Sequence, residues 1–245
     1  MSKELIQKAR RLAQEIVAPI TESVDKEGRF PKEAYDALKK QGFMGLLVPK
    51  EFGGLGFSIV EHASVCYELA RKDATTGLCY MMHNTGTSGI VRFGSAAMKD
   101  EFLPKIAKGE RAIALAYSES GSGTHFGSPD ISESLENGAR VLNGRKSFVT
   151  SALQADFYMT NTNSCKIKGA HNTWLVDRTL PNMIHEDSAW DGLGMRGNAS
   201  MPVQYNGVRV DEKYLVGKEG DGGNHAIAIV MYFVVGLAAV YTGLA

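Results

Sequence analysis

The sequence predicts an α+β protein: an N-terminal helical bundle domain, an antiparallel β-barrel or β-sandwich domain, and the first helix of a C-terminal helical bundle. Over residues 1–110, apolar side chains recur at the three- and four-residue spacings of a helix face. Over residues 111–220, short β-favouring runs alternate with turn signals. Over residues 221–245 the chain becomes apolar, and no charged side chain occurs from residue 226 onward. We therefore expect three domains with these bounds.

The helical region contains clear start and stop signals. Pro31 suits the first turn of the second predicted helix, and Gly42 suits its C-terminal cap, because glycine tolerates positive φ. Ser58 and Glu61 have the order of a capping box, which predicts a helix running to about Lys72. The first predicted helix places four apolar residues on one face: Leu5, Ala9, Leu12 and Ile16.

The β region is predicted from three Asn-Gly dipeptides, at residues 137–138, 143–144 and 206–207. Type I′ turns need positive φ at both central residues, so Asn-Gly is a strong hairpin signal. We expect a tight turn at each dipeptide. Around the turns lie runs of β-favouring residues, over 112–117, 147–150, 157–160, 173–176 and 203–210.

Charge and cysteine content narrow the classes of function. The 27 lysines and arginines balance the 27 aspartates and glutamates, which gives no electrostatic support for a nucleic-acid or acidic membrane partner. The three cysteines lack metal-ligand spacing, and we expect no metal site. The N-terminal residues show neither a signal-peptide nor a transit-peptide pattern, which favours the cytoplasm. The sequence has no Walker-type loop, and no Gly-x-Gly-x-x-Gly occurs between a predicted strand and a predicted helix, so ordinary dinucleotide folds are not expected.

Residues 114–125 contain the strongest candidate for a binding site. The sequence Ala-Leu-Ala-Tyr-Ser-Glu-Ser-Gly-Ser-Gly-Thr-His leads from a predicted strand into a loop of small and hydroxyl-bearing residues. Small side chains let backbone N–H groups approach a ligand, and hydroxyls add further donors. By composition alone, however, such a stretch is more often a surface turn.

The order of several motifs favours the binding interpretation by resemblance. Residues 117–125 resemble the acyl-CoA dehydrogenase signature, commonly Thr-Glu-Pro-Gly-Ala-Gly-Ser-Asp. Residues 144–150, Gly-Arg-Lys-Ser-Phe-Val-Thr, resemble that family's Gly-x-Lys-x-Trp/Tyr-Ile-Thr strand. Each match is short, but together the matches cover nearly the whole chain and are specific for the family. Further similar segments lie, in the family's order, at residues 48–56, 155–157, 192–197 and 208–217.

The resemblance implies an FAD-dependent oxidoreductase of fatty acid metabolism that dehydrogenates an acyl-CoA thioester between its α and β carbons. Hydride passes to flavin N5, and electrons then pass to an electron-transfer flavoprotein or a similar acceptor. The resemblance also implies a homo- or hetero-oligomer, with the flavin ring between the β domain and the C-terminal bundle. It assigns cofactor contacts to Tyr117, Ser118, Gly123, Thr124, Phe148 and Thr150, and substrate contacts to Thr124 and His125.

Two departures from the family pattern limit these assignments. His125 stands where the signature usually has aspartate. Most of the C-terminal helical domain, which usually supplies the catalytic glutamate, has no counterpart in this sequence, and residues 230–237 carry no carboxylate. We therefore assign no catalytic residue within the chain and expect a truncated chain or one part of a split enzyme.

Two other functions fit the same fold. One is a non-catalytic flavin- or acyl-CoA-binding subunit that pairs with a full-length paralogue. The other is a flavin monooxygenase, which Thr124-His125-Phe126 weakly suggests. Residues 226–245 are long enough to span a bilayer, but no basic cluster follows them, and the resemblance places them in a helical bundle.

Overall fold

A computed structural model describes residues 2–125, 127–186 and 190–245. Helices come first along the chain, a sheet follows, and a long helix comes last, which confirms the predicted α+β class. The α-helices are α1 Lys3–Leu12, α2 Thr21–Glu27, α3 Lys32–Lys40, α4 Ile59–Ala70, α5 Ala74–Phe93, α6 Ala96–Ala107 and α7 Gly222–Leu244. The strands are β1 Ile113–Ala116, β2 Ser132–Glu136, β3 Ala139–Val149, β4 Phe157–Asn163, β5 His171–Asp177, β6 Met183–His185 and β7 Met201–Val210.

Helix boundaries follow the local signals closely. Ser58 caps α4, because Val60 N–H donates to its hydroxyl at 3.2 Å while Glu61 accepts the Ser58 N–H at 3.2 Å. Gly42 follows α3 with a φ of 78°. Pro31 lies just before α3 as its N-cap, rather than in the first turn as predicted.

The buried face of the first helix departs from the prediction at Ile16. The other three predicted core residues of that face are buried, but Ile16 is only half-buried and Val17 is buried instead. The chain forms a π-helical segment over Ala13–Val17, in which each turn takes in one more residue than an α-helical turn. The wider turn moves the core-facing position on by one residue.

The sheet is mixed, whereas the sequence predicted an antiparallel one. The strand order is β1-β4-β2-β3-β7-β6, with β5 paired to β4. The pairs β2–β3, β3–β7, β4–β5 and β6–β7 are antiparallel, but β1 runs parallel to β4, with Ile113 opposite Phe157. A parallel pair needs a long crossover, which the loop and β2–β3 hairpin between β1 and β4 provide. Turn signals in the sequence are local and carry no information about such a crossover.

Only one of the three Asn-Gly dipeptides forms a hairpin turn. Residues 137 and 138 join β2 to β3 with φ values of 51° and 79°, as a type I′ turn requires. The dipeptides at 143–144 and 206–207 lie inside β3 and β7, so their predicted turns are wrong. The register between these strands shifts by one residue here, and Gly207, with a φ of 75°, is the extra residue of a β-bulge.

Helix α7 packs against α4, α5 and β5. Two glycines permit the close approach. A Cβ on Gly236 would lie 2.5 Å from Met81 Cγ, and one on Gly243 would lie 2.5 Å from the Tyr67 carbonyl oxygen. By length and composition alone, α7 is also apolar enough to cross a membrane. The face directed away from these neighbours exposes large apolar side chains: Ile227, Met231, Val234, Tyr241 and Leu244.

A buried ionic network ties the sheet to the segment that leads into α7. Arg140 on β3 is fully buried, and its guanidinium donates to Glu133 Oε2 at 2.9 Å and Glu212 Oε1 at 3.1 Å. It also pairs with Glu219, which lies just before α7. Glu133 in turn accepts the indole N–H of Trp174 at 2.6 Å. One buried cation therefore holds β2, β3 and the approach to α7 together.

Two buried histidines connect helices to the rest of the fold. His83 on α5 accepts the Ile113 N–H at Nδ1 (3.2 Å), and its Nε2 donates to the Met44 carbonyl oxygen at 3.0 Å. His62 on α4 contacts the Tyr232 carbonyl oxygen of α7 through Nε2 at 3.3 Å. Burial lowers the pKa of each imidazole to about 4, because the interior disfavours the charged form.

We expect stability to fall with acid in a way that depends on these histidines. Their pKa is lower in the folded protein than the ordinary value of 6.5, so stability is full above about pH 6.5 and is lost as the pH falls toward 4. The loss is on the order of 2 kcal/mol per histidine at pH 4.5. Urea unfolding at pH 7 and 4.5 measures it. His83→Gln should reduce the difference, whereas the exposed His125→Gln should not.

Arg140→Met should destabilise the fold by about 3–5 kcal/mol, because it leaves the buried Glu133 carboxylate without a counter-charge. The matched control is Arg209→Met, whose partner Glu136 is exposed, and its cost should be about 0–1 kcal/mol. Urea unfolding of both variants at pH 7 makes the comparison. Equal losses in the two variants would show that the buried network does not hold the sheet.

Candidate functional site

A cleft of about 840 Å³ lies where the sheet faces α2, α5 and α7. The sheet side contributes Ser118, Phe148 and Thr150, and α7 contributes Phe233 and Leu237. A second cavity of about 200 Å³ adjoins the cleft. The two share Met82, Ser118, Phe148 and Phe233, and the second adds Leu115, Tyr117, Gly123, Ile229 and Val230.

Most of the residues predicted to contact a cofactor lie at these cavities. Ser118 and Phe148 line both cavities, Thr150 lines the cleft, and Tyr117 and Gly123 line the smaller cavity. They come from two segments some thirty residues apart in sequence, which the fold brings together. Thr124 and His125 are exposed and line neither cavity. Phe126 lies outside the described residues.

A β-bulge directs Phe148 toward the cleft. The pairing of β3 with β7 shifts register between Lys146 and Val149, and Phe148 lies in the irregular stretch. Phe148 is 55% exposed, although the adjacent Val149 is fully buried. Its ring packs edge-on against Trp190, with the ring centroids 5.6 Å apart. The sequence analysis missed Trp190, since no local pattern relates it to β3.

Thr150 belongs to a small group of neutral hydrogen-bonding residues. Its hydroxyl lies 3.0 Å from that of Ser200, and Asn198 Oδ1 accepts the Ser200 N–H at 2.7 Å. Ser200 and Asn198 both line the cleft and were not predicted. The nearby family-like segment at 192–197 is the sequence signal that could have found them.

The loop beside the cleft is fixed by a buried ion pair that the sequence analysis also missed. The Glu119 carboxylate accepts the N–H groups of Asp130 at 2.5 Å and Ile131 at 3.3 Å. The Lys146 ammonium donates to Glu119 Oε1 at 2.5 Å and to the Asn161 carbonyl oxygen at 2.8 Å. Burial lowers the pKa of Lys146 to about 8, although Glu119 favours the charged form. Glu119 lies within residues 117–125 and Lys146 within residues 144–150, the two segments that resemble family motifs.

Among the described residues that line the cleft, carboxylates occur only on the side of α2. Glu22 and Asp25 lie on α2, and Asp73 caps α5 by accepting the Thr76 N–H at 2.8 Å. None of the described residues that line the smaller cavity is acidic, and α7 carries no Asp or Glu. The described residues also contain no cluster of three or more His, Cys, Asp or Glu side chains suited to a metal ion.

Comparison with known proteins identifies the family. The chain matches the profiles "Acyl-CoA dehydrogenase, N-terminal domain" over residues 2–110 and "Acyl-CoA dehydrogenase, middle domain" over residues 114–208. The chain therefore belongs to the acyl-CoA dehydrogenase family, which confirms the resemblance.

Individual relatives support the same placement. The chain is 31% identical over 239 residues to an acyl-CoA dehydrogenase of Bacillus subtilis (strain 168), covering 96% of this chain and 63% of that protein. It is 29% identical over 240 residues to the mitochondrial short/branched chain specific acyl-CoA dehydrogenase of Bos taurus, covering 96% of this chain and 55% of that protein. The chain thus spans somewhat over half the length of these relatives.

A solved structure shares the fold. Butyryl-CoA dehydrogenase from Megasphaera elsdenii superposes with a TM-score of 0.93 at 23% sequence identity. The match covers 99% of this chain and 66% of that chain.

Neighbouring substitutions on β3 should test the bulge. Phe148→Ala should change the free energy of unfolding by less than about 1 kcal/mol, because the ring is largely exposed. Val149→Ala should cost about 2 kcal/mol, since it leaves a cavity in the core. Urea unfolding measures both, and the reverse order would mean that Phe148 packs inward.

Proposed function

We propose that this chain forms the flavin- and thioester-binding part of an FAD-dependent acyl-CoA dehydrogenase. The observation that carries the proposal is the meeting of Ser118, Phe148 and Thr150 in one cleft facing α7. Their two segments match different family motifs, and a shared cleft is what a common ligand requires. Membership of the family gives this cleft its expected ligands.

The residues present fit a flavin ring. The hydroxyls of Ser118, Thr150 and Ser200 are neutral donors, which suit an electron-rich ring without adding a fixed charge. Phe148 and Trp190 offer aromatic surface on one side of the cleft. The Trp190 indole N–H has no hydrogen-bond partner among the described residues, and a ligand acceptor would satisfy it.

Bound FAD would supply the electron acceptor, taking hydride at N5 from the β carbon of the thioester. The chain's own residues would bind and orient the flavin and the thioester. Ser118 and Thr150 would hold the ring by hydrogen bonds, and Phe148 with Phe233 of α7 would exclude water between the two cavities. The smaller cavity, apolar along Leu115 and α7, suits an acyl chain.

Removal of the α proton needs a base. We place this base outside the described residues that line the smaller cavity. No described residue there is acidic, and the carboxylates of the cleft lie on the far, α2 side. We propose that the base comes from a segment outside these described lining residues. The same observation favours a second candidate function, a flavin- or acyl-CoA-binding subunit without catalysis of its own.

The substrate contacts, partners and cellular setting expected from the sequence are also part of this proposal. Thr124 and His125 lie at the exposed side of the loop, where they would contact the part of an acyl-CoA that extends beyond the cavities. The further partners would be an electron-transfer flavoprotein or similar acceptor and further subunits in a homo- or hetero-oligomer. The setting would be cytoplasmic fatty acid metabolism.

Titration with FAD tests cofactor binding directly. We expect one FAD per chain, with quenching of Trp190 fluorescence, since Trp190 lines the cleft. The protein has two tryptophans, so Trp190→Phe should abolish most of the quenching and Trp174→Phe should preserve it. Phe148→Ala should weaken FAD binding by about tenfold, equivalent to one lost ring contact. Absence of FAD binding by the intact chain would overturn the proposal.

A designed carboxylate separates the two candidate functions. Val230 lines the smaller cavity, so Val230→Glu places an acid where the α proton would lie. If the cleft is a dehydrogenase site, anaerobic butyryl-CoA should bleach FAD-loaded Val230→Glu at least about tenfold faster than the unmodified chain. The matched control is Met231→Glu, which is exposed, lies about 100° round the same helix from Val230 and lines neither cavity. Equal bleaching of the two variants would favour the non-catalytic subunit.

A further inference from the structure

The loop between β1 and β2 contributes Tyr117, Ser118 and Gly123 to the cavities, and its middle is held by local hydrogen bonds among its described residues. Within it, the His125 N–H donates to the Ser122 carbonyl oxygen and the Ser128 N–H to the His125 carbonyl oxygen, both at 2.8 Å. These are local turn contacts, and most side chains of the segment are exposed. Local contacts of this kind do not fix the position of a loop relative to a strand.

The side chain of Glu119 ties the two ends of this loop together. Its backbone lies just after β1, while its carboxylate accepts N–H groups of Asp130 and Ile131, just before β2. Glu119 is almost fully buried. The Glu119 carboxylate thus joins the two ends of the loop that contains Ser118 and Gly123, and Asn163 of β4 also donates to the Pro129 carbonyl oxygen at 2.6 Å.

Lys146 supplies the charge that makes a buried carboxylate tolerable. It is fully buried on β3, and its ammonium contacts Glu119 Oε1, both oxygens of Asn161 (2.8 Å each) and the Tyr117 carbonyl oxygen at 3.5 Å. Next to Lys146 in sequence, the Ser147 N–H donates to the Ser118 carbonyl oxygen at 2.8 Å. The ammonium therefore links β3, β4 and both ends of the loop.

We propose that Lys146 and Glu119 are positioning residues: their buried pair fixes Ser118 and Gly123 of the loop relative to Phe148 of β3. Neither side chain lines a cavity, so neither touches the ligand. A buried ion pair adds little net stability, but removal of one partner leaves an uncompensated buried charge. The pair therefore acts mainly on geometry. Its effect on the cofactor rests on the function proposed above.

The test compares amide hydrogen exchange and FAD binding in the 245-residue chain. In Lys146→Met without cofactor, the N–H groups of Asp130, Ile131 and Ser147 should exchange about tenfold faster or more. Amides of α5 should be unchanged. FAD affinity should fall about tenfold or more, the equivalent of one lost hydrogen bond in the site. The visible circular dichroism of bound flavin should also change, because it reports the groups around the ring.

Three further variants make the outcome decisive. Glu119→Gln removes the other charge of the pair and should speed exchange of the same loop amides. The double variant, with Lys146→Met and Glu119→Gln, leaves no unpaired charge. If a single variant does not fold, hydrogen exchange and FAD binding are measured on the double variant. Arg140→Met removes another buried cation of β3 and controls for loss of stability, because its carboxylate partners are Glu133, Glu212 and Glu219 rather than Glu119. Exchange of the loop amides and the flavin spectrum should change less in Arg140→Met than in Lys146→Met.

The proposal would be overturned if the loop amides exchanged at the same rate in Lys146→Met, in the double variant and in Arg140→Met. Unchanged FAD affinity and dichroism in both variants would overturn its cofactor part. Failure of the unmodified chain to bind FAD contradicts the proposed function instead. Loop exchange in the cofactor-free chain would then still decide whether the ion pair fixes the loop.

Discussion

Strand β3 carries two fully buried cations, and a protein interior does not hold a charge without an opposite charge beside it. Arg140, toward one end, meets Glu133 and Glu219, and Lys146, toward the other, meets Glu119. Each carboxylate belongs to a different segment of the chain. Neutralising both cations therefore fixes the segment leading into α7 at one end and the loop beside the cleft at the other.

The segments held at these two ends lead into opposite walls of the cleft. One wall comes from the β1–β2 loop and the bulged end of β3, and the opposite wall comes from α5 and α7. The close approach of α7 to its neighbours depends on Gly236 and Gly243, where a side chain would collide with Met81 or Tyr67. The described residues that line the cavities beside the sheet are uncharged, while the described carboxylates of the cleft lie on or beside α2.

Much of the fold and part of the site follow from local sequence. The capping box at Ser58 and the turn at residues 137–138 form as predicted, because each depends on residues that are adjacent in the chain. Ser118, Phe148 and Thr150, which the resemblance assigns to cofactor contact, line one cleft, and their contact with a cofactor stays a prediction. Asn-Gly at 206–207 misled the prediction, since the positive φ that serves a turn also serves the bulge at Gly207, and Asn143 and Gly144 simply pair with β7.

The sequence by itself determined the order of helices and strands, the family, and the segment that faces the cleft. These depend on periodicity, capping and short motifs, which are properties of neighbouring residues. Tertiary structure alone decided the parallel pairing of β1 with β4, the contact of Phe148 with Trp190, and the burial of Lys146 against Glu119. These depend on which distant segments share the interior, where desolvation and packing select partners that no local pattern specifies.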